Sequence, residues 1–263
     1  MGVASWALLM NLSSPLLLLA FVFVALVATS EIGFRIGRRF QSRTDDAGSE
    51  LEGAVQAALL GLLALLLGFS FGLVASRYDS RREVIVREAN AIGTAYLRTQ
   101  LLFEPQRSES QSLFRRYVRE RIRAYDLGTE AAVDAANRSK ELQEALWTCA
   151  MTAAGDDRVS PVFATSVAES LNEVIDSSEA AVTAFENRIP RAIMRLLLAI
   201  AAISAAVTGY CDGVYGRRLL LALAVQPLVI ALVIATIADA DQPFRGRVLV
   251  SQNALVRAQA AMR

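Results

Sequence analysis

The sequence predicts an all-α fold: a four-span transmembrane helical protein with a cytoplasmic helical bundle inserted between spans two and three. Three observations carry this. Of the 263 residues, 54% are hydrophobic, and they gather in four long blocks with the charges between them. Each block approaches the about 20 apolar residues that cross about 30 Å of hydrocarbon. The one long polar stretch, residues 77–188, shows apolar residues at steps of three and four and no strand alternation.

The first span runs from about Pro15 to Phe34. Ser13 and Ser14 offer a cap, Pro15 suits the first turn, and Glu31 sits one turn from Arg35. Residues 1–14 carry no Lys or Arg, so the positive region of a cleaved signal peptide is missing and the helix is expected to be retained. The second span runs from about Gly53 to Ser76 without a charge. The third runs from about Ala192 to Tyr210, and the fourth from about Leu219 to Ala238 with Gln226-Pro227 in its middle. A kink is one outcome of that proline, and a polar contact lining a vestibule is the other. The expected divisions are 1–76 for spans one and two, 77–190 for the cytoplasmic helical domain, 191–238 for spans three and four, and 239–263 for a cytoplasmic tail. Nine arginines flank the membrane on the side of the termini and central domain, against six on the other, which points to cytoplasmic termini. Cys149 and Cys211 then lie on opposite sides and cannot form an intrachain disulfide.

Composition excludes several functions. Net charge is +1, so no global field attracts nucleic acid. There is no histidine, which removes Ser-His-Asp and Cys-His catalysis and most metal sites. No nucleophile, base and orienting group converge in the sequence, and no nucleotide motif occurs, so the protein is not expected to be an enzyme.

Within the central domain the second span is expected to continue as one helix to about Phe103, where Glu104-Pro105 breaks it. Helices then follow over about Gln106–Asp126 and Glu130–Ala154, and a third opens at Ser160-Pro161. Residues 77–123 hold 11 arginines and 6 acids, a balance of +5, whereas residues 124–188 hold 4 basic residues and 12 acids, a balance of −8. The simpler reading is two solvated helical pairs. The other is a basic surface on one subunit meeting an acidic surface on its neighbour.

Span two carries a stripe of small residues, Ala54, Ala57, Gly61, Ala64, Gly68 and Ala75, at steps of three and four. Ala57, Gly61, Ala64 and Gly68 are candidates for close helix packing, with Ala201, Ala202, Ser204, Ala205 and Ala206 of span three as partner surface. Alternatively Gly68, Phe69, Ser70, Phe71 and Gly72 line a pore around a symmetry axis, with an aromatic constriction that gates by dewetting. Two adjacent odd positions on a helix differ by about 200°, so one ring faces the axis while the other packs on a neighbouring helix. Phe71 continues the register of the small residues and is the pore candidate. Beyond span four, Asp239 and Asp241 oppose the helix dipole unless paired with Arg245 and Arg247 or with a hard cation such as Ca²⁺. No other cofactor is expected.

The run Gly68-Phe69-Ser70-Phe71, then Arg77-Tyr78-Asp79-Ser80-Arg81-Arg82, then Glu88 to Arg98 resembles the bacterial bestrophin-like membrane protein family, a domain family distantly similar to bestrophin channels. Asn172 to Asp176, Arg188-Ile189-Pro190, Gly209-Tyr210 and the tail from Ala238 to Gly246 fit the same pattern, over about residues 15–255. Where the family shows Leu-Asp-Leu-Asp this chain has Ala238-Asp239-Ala240-Asp241, which keeps the aspartates and loses the leucines. The resemblance implies a homo-oligomeric ion channel in the bacterial cytoplasmic (inner) membrane, a pentamer by analogy, with span two nearest the axis and membrane lipid around it. It also implies a calcium site near Asp239 and Asp241. The alternative is a membrane scaffold or signalling protein whose bundle binds a partner without conduction.

Overall fold

The computed structural model describes residues 15–40, 46–126, 130–216, 220–242 and 249–262. Among these the regular elements are all helical: α1 (Pro15–Phe40), α2 (Asp46–Arg98), a 3₁₀ turn (Thr99–Leu101), α3 (Gln106–Asp126), α4 (Glu130–Ala154), α5 (Pro161–Glu186), α6 (Arg191–Val214), α7 (Leu220–Ala240) and α8 (Asn253–Ala260). Local chemistry explains most boundaries. The second span runs unbroken past Arg77, because no proline interrupts it before Pro105. α5 starts where Ser160 takes an extended backbone and Pro161 fills the first helical position. α1 continues past Phe34 to Phe40, and Arg38 and Arg39 in its last turn suit the negative end of the dipole.

Stretches long and apolar enough to cross a membrane lie in Pro15–Phe40, Leu51–Leu101 and Pro161–Val214. In α7 the corresponding apolar run is shorter, Ala224–Ala240. α7 continues past Pro227, which is buried, without ending there.

The chain divides into two compact units. One comprises Met1–Ser76 with Arg188–Gln242, and the other Arg77–Asn187 with Pro243–Arg263. The first is built on a close crossing of α1 and α6. Gly33 and Gly37 of α1 face Gly209 and Gly213 of α6, and a methyl added at any of the four would overlap a backbone carbonyl of the other helix: Ala206, Tyr210, Ser30 and Phe34 respectively. Ala201 and Ala205 are buried among Val22 and Leu26 of α1, Leu63 of α2, and Ile230 and Ile234 of α7. The small residues of α6 therefore meet α1, and the small stripe of α2 is not their partner. Thr208 ties two more helices in, since its Oγ1 accepts from Gln56 Nε2 at 3.3 Å and from Gln226 Nε2 at 3.4 Å. The Gln226 amide thus acts as a bond between helices.

The second unit packs α3 on α4 and α4 on α5 around Ile92, Phe114, Tyr117, Leu146 and Val174. The end of the chain belongs to this core. Val250, Leu255 and Met262 are buried in it, with Leu255 0% exposed. Both cysteines are free and buried.

The glycine crossing separates two kinds of substitution. Gly209→Ala should cost about 1–3 kcal/mol through overlap with the Ser30 carbonyl. Gly61→Ala meets no atom within 4 Å and should leave the fold of the chain intact. Thermal unfolding in detergent compares them, and equal midpoints would remove the crossing as the organising contact.

Candidate functional site

α2 has two unlike sides in the first unit. Leu63, Ser70 and Val74 are buried, and Val74 packs with Ile189 and Ile237. The opposite side carries Ala54, Ala57, Gly61, Ala64, Gly68, Gly72 and Ala75, all exposed. A methyl added at Gly61, Gly68 or Gly72 meets nothing within 4 Å. The packing candidates Ala57, Gly61, Ala64 and Gly68 thus lie together on a face that no helix among the described residues covers. Of the pore candidates, Gly68, Phe69, Phe71 and Gly72 are on open surface, with Phe69 67% and Phe71 53% exposed, whereas Ser70 is turned inward at 6%. Within one chain neither ring has the packed environment expected for Phe69.

Asp239 and Asp241 lie at the end of α7, and both are buried. Asp241 Oδ1 accepts the backbone N–H of Ile189 at 3.0 Å, just before Pro190 leads into α6. That bond satisfies a backbone donor with a carboxylate at the start of the third span. Arg245 and Arg247, their expected partners, lie outside the described residues. Among the described residues no group of three or more Asp, Glu, Cys or His side chains could hold a metal ion. Ca²⁺ takes about 6–8 oxygens, so two carboxylates, one of them engaged by Ile189, do not make up its shell without further donors.

The Glu88–Arg98 run takes its place inside the second unit. Glu88 is 0% exposed and Arg121 of α3 is 3% exposed. Arg121 Nε donates to Glu88 Oε1 and Arg121 Nη2 to Oε2 at 3.2 Å, while the Tyr125 hydroxyl donates to Oε2 at 2.9 Å. Burial alone would lower the Arg121 guanidinium and is the largest single influence, but Glu88, Tyr125 and Tyr117 together outweigh it and push it up. Burial and Glu88 together push the Tyr125 phenol up. Further along the run, Ile92 and Ala95 are buried, Tyr96 OH donates to the Met262 carbonyl at 3.2 Å, and Arg98 Nη1 donates to the Ser166 carbonyl at 2.8 Å. Arg81, 1% exposed, donates to the carbonyls of Ala184 and Asn187 at the end of α5, at 3.3 and 3.0 Å. Cations at that end suit the dipole.

A family model described as a Bestrophin-like domain matches residues 8–255. The chain belongs to the bestrophin-like family. Its fold resembles the crystal structure of a bacterial bestrophin homologue from Klebsiella pneumoniae, with a TM-score of 0.65 at 14% identity, covering 92% of this chain and 97% of that one. A mutant of the same homologue gives a TM-score of 0.62 at 15% identity, with coverage of 92% and 97%. No curated protein matches the sequence. In this bestrophin-like chain the run that carries the resemblance is largely scaffold: it supplies the buried ion pair and ties the chain end to the helical unit.

Sequence reasoning missed three features of this bestrophin-like chain. The Gly33/Gly37 and Gly209/Gly213 spacings are both Gly-x-x-x-Gly and were open to reading as contact motifs. Glu88, Arg121 and Arg81 carried no such signal, since nothing in a charge's position along the chain says that it will be buried.

Two outcomes follow from the buried cluster. Glu88→Gln strands the Arg121 charge and should cost about 3–5 kcal/mol, read as a lower unfolding midpoint. Tyr117, whose phenol burial pushes up from 10.0 to about 12, gives an alkaline signature. The folded state then holds its proton where the unfolded state has lost it, so its contribution is complete below pH 10.0 and declines as pH rises toward about 12. Tyr117→Phe should flatten that part of the stability profile. An unchanged slope would mean that Tyr117 is not the group titrating.

Proposed function

We propose that this bestrophin-like chain is one subunit of a homo-oligomeric ion channel with α2 nearest the symmetry axis. The observation that carries the reading is the uncovered face of α2: seven small residues flanked by two exposed phenylalanines, on a helix whose other side is packed. In a ring of copies such a face allows close approach around an axis, and a phenylalanine projecting from it narrows the passage and excludes water. Phe71 lies in register with the small stripe and is the constriction; Phe69 packs on the adjacent copy. Membership of the bestrophin-like family supports the channel reading by analogy of fold.

The chain crosses a bacterial cytoplasmic membrane four times. α7, with 21 residues, is about 31 Å long and spans as the fourth helix. The helical unit and both termini are cytoplasmic, following the distribution of arginines. Its partners are membrane lipid and further copies of itself. It performs no catalysis. Asp239 and Asp241 serve as buried structural carboxylates, and a cation there would need oxygen donors from backbone or from another copy.

Planar-bilayer recording of the purified, folded oligomer tests the function. Phe71→Ala should raise conductance, while Phe69→Ala should mainly lower stability, by about 3 kcal/mol for a lost buried ring. Absence of current from wild type and both variants would favour a scaffold. Orientation needs introduced thiols, because the native ones are buried. Tyr215 and Thr148 are both exposed. On intact cells an impermeant maleimide should label Tyr215→Cys and not Thr148→Cys, and the reverse pattern would invert the topology.

A further inference from the structure

The helical unit carries two exposed charge stripes of opposite sign. On α3, Arg116, Arg119 and Arg123 follow steps of three and four, and on α5, Glu169, Glu173 and Asp176 follow steps of four and three; all six are exposed. Each set covers about 10 Å of helix, so two helices laid together can align three opposite charges in one register. The stripes lie on different faces, because α4 packs between α3 and α5. The arginines line a groove of about 400 Å³ beside α4, and Glu169 and Glu173 line another of about 510 Å³ beside α2.

Some exposed charges of the unit pair within the chain. Arg158 pairs with Asp156 at 2.6 Å, Arg87 with Glu83 at 2.9 Å, and Arg138 with Glu120 at 2.9 Å. The stripe residues Arg116, Arg119, Glu169, Glu173 and Asp176 are not among these pairs. Among the described residues Arg116 and Arg119 pair with no carboxylate, and Arg119 Nε reaches only the Arg115 carbonyl, at 3.3 Å. Glu169, Glu173 and Asp176 likewise form no ion pair among the described residues. Arg123 shares Glu120 with Arg138 and still leaves its side chain 60% exposed.

We infer that the arginine face of α3 on one copy docks on the acidic face of α5 on the next copy. The inference rests on the homo-oligomer reading and names the contact that sets its register. A foreign acidic or basic partner would satisfy one stripe and leave the other; a second copy satisfies both, with equal lengths and opposite signs. Because the two faces are distinct, each copy gives one and receives one, and the association is head-to-tail, as a closed ring requires. Single exposed pairs are worth little, but pairs set in an interface steer encounter and penalise wrong registers.

The test uses the full chain in detergent and in membranes, with oligomer size read by cross-linking and native mass spectrometry and folding read by circular dichroism. In Arg116→Glu/Arg119→Glu association should weaken at least about tenfold at low salt, with the difference shrinking at high salt. Adding Glu169→Arg and Glu173→Arg to the same chain reverses both faces and should restore assembly. A folded double variant that assembles like wild type at all salt concentrations overturns the inference. So does a fourfold variant that assembles no better than the double. A wild-type chain that is monomeric in membranes would instead overturn the homo-oligomer reading itself.

Discussion

Between helices in lipid, apolar side chains gain nothing by leaving the acyl chains for one another. Contact has to come from close backbone approach and from hydrogen bonds that lipid cannot supply. The α1–α6 crossing is that contact in this chain. Four glycines bring carbonyls of each helix to the Cα atoms of the other, and no larger residue fits. The other helices of the unit use different means. α7 adds Ile230 and Ile234 to the shared cluster, and Gln56 and Gln226 reach Thr208 from either side. α6 gives its small face to α1, and the small face of α2 receives no cover from the described residues; the proposed axis rests on that.

The second unit is held together differently. Its core is aromatic and aliphatic, and its interior holds a carboxylate and a guanidinium that are costly to desolvate. Glu88 and Arg121 offset that cost only by meeting through several hydrogen bonds, with Tyr125 filling the remaining acceptor. Displacing α2 from α3 would leave buried charges unpaired, so the cluster penalises a shifted register of the two helices. The family run around Glu88 is largely accounted for by these demands, and the Asp241 bond to Ile189 shows the same logic in the first unit: the aspartate answers a backbone group.

Much of the architecture was legible in the sequence because its causes are local. The breaks at Glu104-Pro105 and Ser160-Pro161, the continuity of α2 past Arg77, and the helical period of residues 77–188 depend on residues within a turn or two of one another. The resemblance drawn from the Glu88–Arg98 run agreed with the family match because short runs keep their order whatever they touch. What the sequence did not decide was which surface meets which. Gly68-x-x-x-Gly72 and Gly33-x-x-x-Gly37 have the same spacing, yet one is open and the other is sealed against α6. One reading of Asp239 and Asp241 was a pair of solvated carboxylates, and both are buried. Periodicity along one helix defines a face, whereas the neighbour that covers it is brought there by residues more than a hundred positions away, and only the tertiary structure carries that information.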